Sequence, residues 1–133
     1  MPDLDLLGAT ADPAERLRLA VRQTYAFYES LFGQIWGTYK LQDESPVLAS
    51  TLTQLGEFQA EIVDLVVAAW MPVLLRSGEA RGLVIGLLNF LTYRALRHDG
   101  GLSPEQATDR MTEALLHSLE ALSRQSRKEA ANV

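Results

Sequence analysis

The chain contains no cysteine and only two histidines, His98 and His117. Disulfides, thiolate metal sites and cysteine nucleophiles are thereby excluded, and no thiol redox role is available. Basic residues are also scarce, with 12 Lys and Arg against 17 Asp and Glu for a net charge of -5. Such a balance lacks a broad phosphate-binding face, so direct nucleic-acid contact is not expected. Long apolar runs are missing too. The most apolar charge-free stretches, Leu65–Leu75 and Gly82–Tyr93, fall well short of the roughly 20 apolar residues that span a bilayer. The start, MPDLDLLGATADPAERL, has no basic segment ahead of an apolar one, so no secretory signal is expected and a cytoplasmic address is. Phosphate loops, nucleophile elbows and Cys/His zinc patterns do not occur.

What the chain does have is apolar residues in helical order. At 133 residues, 47% of them apolar and 22% charged, it fits one globular domain with a core large enough to fold. Three helix starts carry the same device, an N-cap followed by proline at N1: Asp12-Pro13, Ser45-Pro46 and Ser103-Pro104. In two of them Glu15 and Gln106 stand at N3, where a side chain can reach back to the cap as in a capping box.

These marks predict an all-α antiparallel bundle of four main helices, one of them kinked. The first spans about Pro13–Tyr39, with Leu17, Val21, Thr24, Tyr28, Leu31, Ile35 and Tyr39 on one stripe at spacings of three and four. Gly33 and Gly37 fall on its other side. The second, Pro46 to about Arg76, buries Leu48, Leu52, Leu55, Ile62, Val66, Ala69 and Val73, and Pro72 predicts a kink near residues 68–71. The third, about Glu79–Arg97, closes at His98-Asp99-Gly100-Gly101. The fourth, Pro104 to about Gln125, carries Ala107, Met111, Leu115, Leu119 and Leu122 in a band. Residues 1–11 then read as an extension or linker, 12–125 as the domain and 126–133 as a polar tail.

The third helix is the most informative. GLVIGLLNFLTYRAL, Gly82–Leu96, is apolar on every side, so it must be covered all round. One small subunit does not supply that cover, and a second copy is expected to. Gly82, Gly86, Asn89 and Tyr93 form a small and polar seam along it, which floors a cavity or marks the line where another helix packs.

Candidate chemistry is thin. His98 reads as a dipole partner at a helix C-terminus, and His117 as the mate of Glu113 one turn before it. Glu57, Glu61 and Asp64 align three carboxylates, the only pattern resembling a metal or acid/base site, but they lie opposite an apolar stripe and read as a solvated face. No enzyme, metal or cofactor is expected. Polar-tipped aromatics, Tyr25, Tyr28, Trp36 and Tyr39 on the first helix and Trp70 beside Pro72, leave two readings open: ordinary core, or a ligand pocket.

Residues 12–123 resemble the C-terminal effector-binding and dimerisation domain of tetracycline-repressor-type (TetR family) transcriptional regulators. The resemblance rests on ADPAERLRLAVRQTYAFYE, on the kinked middle helix, and on GLVIGLLNFLTYRALRHDGGLSPEQATDRMTEALL as a closing helix pair. It implies a homodimer held by the last two helices, through Gly86, Leu87, Phe90, Arg94, Met111, Leu115, Ser118 and Leu122. It also implies a small apolar or aromatic effector among the preceding helices, lined by Tyr25, Tyr28, Phe32, Trp36, Phe58, Trp70, Asn89 and Tyr93. Only eleven residues precede Asp12, too few for the family's helix-turn-helix domain, so DNA binding does not carry over. The alternative is a pocketless interaction module that pairs with another regulator subunit. An enzyme using Glu57, Glu61 and Asp64 with a metal is the third and least favoured reading.

Overall fold

A computed structural model describes residues 1–70, Leu74 and residues 77–132. Seven α-helices lie among the described residues: α1 (Leu4–Ala9), α2 (Pro13–Ser30), α3 (Phe32–Leu41), α4 (Pro46–Ala68), α5 (Gly78–Leu87), α6 (Phe90–Arg94) and α7 (Pro104–Ala131). A 3-10 turn, Gln42–Glu44, precedes α4, and a π-turn, Ala95–Asp99, follows α6. The described residues contain no strand, and no helix is long and apolar enough to cross a membrane.

The proline-led starts are where the sequence puts them. Asp12, Ser45 and Ser103 accept the backbone N–H of Glu15, Leu48 and Gln106 at 2.9, 3.4 and 3.1 Å. At α7 the capping box closes, since Gln106 Oε1 accepts the Ser103 N–H at 3.0 Å. At α2 it does not, because the Glu15 carboxylate pairs with Arg18 at 2.6 Å instead.

Two helices expected to be continuous are broken. The first divides at Leu31, whose φ and ψ of -119° and 22° leave the helical region. The Ser30 hydroxyl donates to the Phe27 carbonyl at 2.8 Å, a side-chain bond that competes with the backbone ladder and bends helices. The third divides at Leu88–Asn89. Asn89 is extended, with φ -71° and ψ 147°, and its Oδ1 accepts the Leu91 N–H at 2.8 Å, starting α6 as an N-cap. The Pro72 kink and the burial of Val73 lie outside the described residues; α4 runs unbroken through Ala68.

Both chain ends are more ordered than their composition suggests. Residues 1–11 are not a bare linker: α1 packs on α4 and α2, with Leu7 fully buried. The Arg16 guanidinium fastens it, donating to the carbonyls of Thr10 (2.8 Å), Gly8 (3.1 Å) and Leu65 (2.8 Å). At the other end α7 continues to Ala131, because Arg, Gln, Lys, Glu and Ala are good helix formers even where nothing covers them.

α2 sits at the centre, against α7 on one side and α4 on the other, and α5 bridges α4 and α7. α2 and α7 run antiparallel: residues 15–22 face 108–116, and residues 25–30 face 104–109. The core collects Leu17, Ala20, Val21, Tyr25 and Tyr28 of α2, Ile62, Val63, Val66 and Val67 of α4, Phe90 and Tyr93 of α6, and Ala107, Met111, Leu115 and Leu119 of α7.

Candidate functional site

The break between α5 and α6 frees backbone carbonyls at the end of α5, and two buried tyrosines take them up. The Tyr25 hydroxyl donates to the Leu87 carbonyl at 2.7 Å, and the Tyr28 hydroxyl to the Leu88 carbonyl at 2.5 Å. Gln59 of α4 donates its side-chain N–H to the Tyr28 oxygen, so α2, α4 and α5 meet at one point. Burial raises both phenols above their ordinary range, Tyr25 further by Tyr93, while the Gln59 hydrogen bond acts against the rise at Tyr28. Neither phenol ionises near neutral pH.

The rings around them are packed face and edge. Tyr25 and Tyr93 have centroids 4.6 Å apart, Tyr28 meets Phe90 edge-on at 5.5 Å, Phe32 lies 5.1 Å from Phe90, and Tyr39 stacks on Phe90 at 5.5 Å. Phe90 is thus the hub of an aromatic core. At its edge the Tyr93 hydroxyl donates to Glu29 Oε2 at 2.6 Å, and Arg97 grips the same carboxylate through Nε (3.2 Å) and Nη2 (3.1 Å). Arg97 Nη1 also donates to the Leu102 carbonyl at 2.7 Å, tying the loop before α7 to α2. These hydrogen bonds, Arg97's first and Tyr93's second, hold the Glu29 carboxyl below the usual carboxylate range. Gly101, at φ 69°, turns the chain into α7 in the left-handed region that favours glycine.

The eight residues expected around an effector fall in several places. Tyr25, Tyr28, Phe32 and Tyr93 come together, but ring against ring, and Asn89 spends its carbonyl oxygen as a helix cap. Trp36 lies under the Arg94 guanidinium, whose carbon is 3.8 Å from the ring centroid. Phe58 is half-buried against the core, and Trp70 borders a small cleft with Glu120, Ser123, Arg124 and Arg127. Tyr25 and Tyr93 also edge a groove of about 530 Å³ between α2 and the first turns of α7, with Arg22, Glu105 and Asp109 on its rim.

The expected interface residues divide by depth. Phe90 and Leu115 have no exposed surface and Met111 has 6%, so within the protomer they belong to the core. Gly86 is exposed, and Leu87, Arg94, Ser118 and Leu122 are half-buried. The seam of small residues also ends sooner than its spacing suggests, because Tyr93 is fully buried and Asn89 is a cap. What remains is the outer face of α5: Gly78, Gly82 and Gly86 at every fourth position, where an added Cβ would meet nothing within 4 Å. Ile85 and, past the break, Leu91 are 44% and 45% exposed.

Glu57 and Glu61 are exposed, while Asp64 is drawn off by Arg81 of α5 at 2.9 Å. Glu113 pairs with Arg110 at 3.0 Å and not with His117, and the His98 ring lies 5.0 Å from Phe32. Sequence reading missed Glu29, Gln59 and Arg97, whose partners lie 31 to 68 residues away and leave no local signal. No family model matches the chain, and neither a curated protein nor a solved structure matches it.

Proposed function

We propose that this chain is a non-enzymatic homodimerisation and effector-binding module of the TetR type, acting in the cytoplasm and making no nucleic-acid contact of its own. The observation that carries the pairing is the outer face of α5. Glycine inside a helix costs roughly 1 kcal/mol relative to alanine, and none of the described residues comes close enough to Gly82 or Gly86 to require so small a residue. A second helix laid along that face uses the space. Ile85 and Leu91 flank the track with apolar surface, and a two-fold axis would bring each face onto its own copy.

Sedimentation equilibrium tests this. The protein is expected to run at twice its chain mass, and Ile85→Glu and Leu91→Glu at the chain mass with unchanged helicity. A wild-type monomer, or dimers in both variants, overturns the pairing.

The second reading, a pocketless module that pairs with a regulator subunit, is favoured by the ring-on-ring packing where a cavity is expected. Mixing the chain with a full-length regulator and following operator binding separates the two. Loss of operator binding without any small molecule supports the second.

A further inference from the structure

The geometry points to a binding site for a small lipophilic organic cation in the groove where α1 and α5 flank α4. This deepens the effector half of the proposed function and places that effector away from the aromatic core. The groove is shallow and open to solvent and offers about 700 Å³, a volume within the range of small-molecule sites. Its walls are Leu4 of α1, Leu65 and Ala68 of α4, and the Asp64–Arg81 ion pair, with Glu61 at the rim.

Helical spacing makes this one surface, since residues 61, 64, 65 and 68 follow one another on a single face of α4. Leu65 and Ala68 supply an apolar floor there, and Leu4 is brought over it because α1 is fastened down by Arg16 and Leu7. Without that fastening the groove would have one wall.

Charge decides the ligand's sign. The three helices that build the groove, with the cap of α1, carry six carboxylates: Asp3, Asp5, Glu57, Glu61, Asp64 and Glu79. Among the described residues two guanidiniums lie nearby: Arg81 donates to Asp64 at 2.9 Å, and Arg16, which keeps its charge, donates to three carbonyls. Among the described residues Glu61 has no hydrogen-bond or ion-pair partner. With six carboxylates against two guanidiniums among the described residues, the surroundings are net negative and disfavour an anion, whereas a cation with an apolar body sets its charge at Glu61 and its body on Leu4, Leu65 and Ala68.

Calorimetry with tetraphenylphosphonium and tetraphenylborate, ions of like shape and opposite charge, tests this on the intact protein. Saturable binding is expected for the cation and none for the anion. Glu61→Gln is expected to weaken the cation by about three- to tenfold, as for one exposed ion pair. Glu57→Gln, a turn away and outside the lining, should change it less than about twofold at the same screening. Ala68→Lys, at an exposed position, is expected to abolish binding with circular dichroism unchanged. Equal binding of both ions, equal effects of the two glutamine variants, or no saturable heat with the cation overturns the site. Sedimentation of the same samples keeps the two ideas apart: a dimer that ignores the cation removes only the site, and a monomer that binds it removes only the pairing.

Discussion

α2 and α5 both carry apolar residues at helical spacing, yet the protomer treats them differently. Six of the eighteen residues of α2 are buried, and its two inward tyrosines are bonded to the end of α5. α5 buries Ala80 and Val84 on its inner side and shows glycine and Ile85 on its outer side. The lesson is that hydropathy sets how much cover a helix needs, whereas its side-chain sizes show where the cover comes from. Large residues on α2 fill space inside the protomer, and small ones on α5 keep space open outside it.

The largest effect expected from breaking this contrast is at Phe90. It is fully buried and touches Tyr28, Phe32 and Tyr39, so Phe90→Ala should cost about 3–5 kcal/mol in urea or thermal unfolding. A loss below about 1 kcal/mol would mean the ring sits at a subunit surface instead, as the resemblance to TetR-type domains first suggested.

Tyr28→Phe comes next. It keeps the ring and removes the hydroxyl that caps Leu88 and accepts from Gln59, leaving a buried carbonyl unmet, for about 1–3 kcal/mol. Adding Gln59→Leu should recover part of the loss, and a double-mutant cycle measures how much of α2's hold on α5 passes through that hydroxyl.

How much of this was legible follows from distance along the chain. The caps at Asp12, Ser45 and Ser103 were, because each bond closes within three residues. The inward stripes of α2 and α7 were legible through period. Asn89 carried a usable signal, being a residue type that favours N-caps, but inside an apolar run it reads as a polar spot in one long helix. The pairing of Tyr25 and Tyr28 with Leu87 and Leu88 was not legible, since nothing local says where a phenol sixty residues away will point. For the same reason the aromatics left both readings, core and pocket, open. Whether ring meets ring or ligand depends on helix angles, which no local spacing fixes.

Gly82→Ala sharpens the comparison through sign. No described residue stands within 4 Å of the added methyl, so the isolated protomer should gain up to about 1 kcal/mol from helix propensity. The dimer should weaken, because the same methyl fills the track a second α5 would occupy. Unfolding of the monomeric Ile85→Glu background reads the first effect, and sedimentation of the otherwise native chain reads the second. A methyl that strengthens both would show that α5 faces only solvent.

The smallest expected effect belongs to the acid limb of stability, through Glu29 at the C-terminal end of α2. Its carboxyl is held below the ordinary range by Arg97 and Tyr93, so it titrates lower in the folded chain than in the unfolded one. Its contribution is complete above the ordinary carboxylate range, about pH 4 to 5, and is lost as pH falls through the folded value. Because the pair is partly exposed, with side chains 27% and 37% accessible, the contribution is about 0.2–1 kcal/mol after solvent screening. Glu29→Gln should therefore lower stability at pH 7 and flatten the decline below pH 5, with the two proteins converging in acid. Arg97→Gln should do the same if the guanidinium is the main cause. A decline unchanged in both variants would move acid sensitivity to other carboxylates and leave the α2–α7 corner held by packing alone.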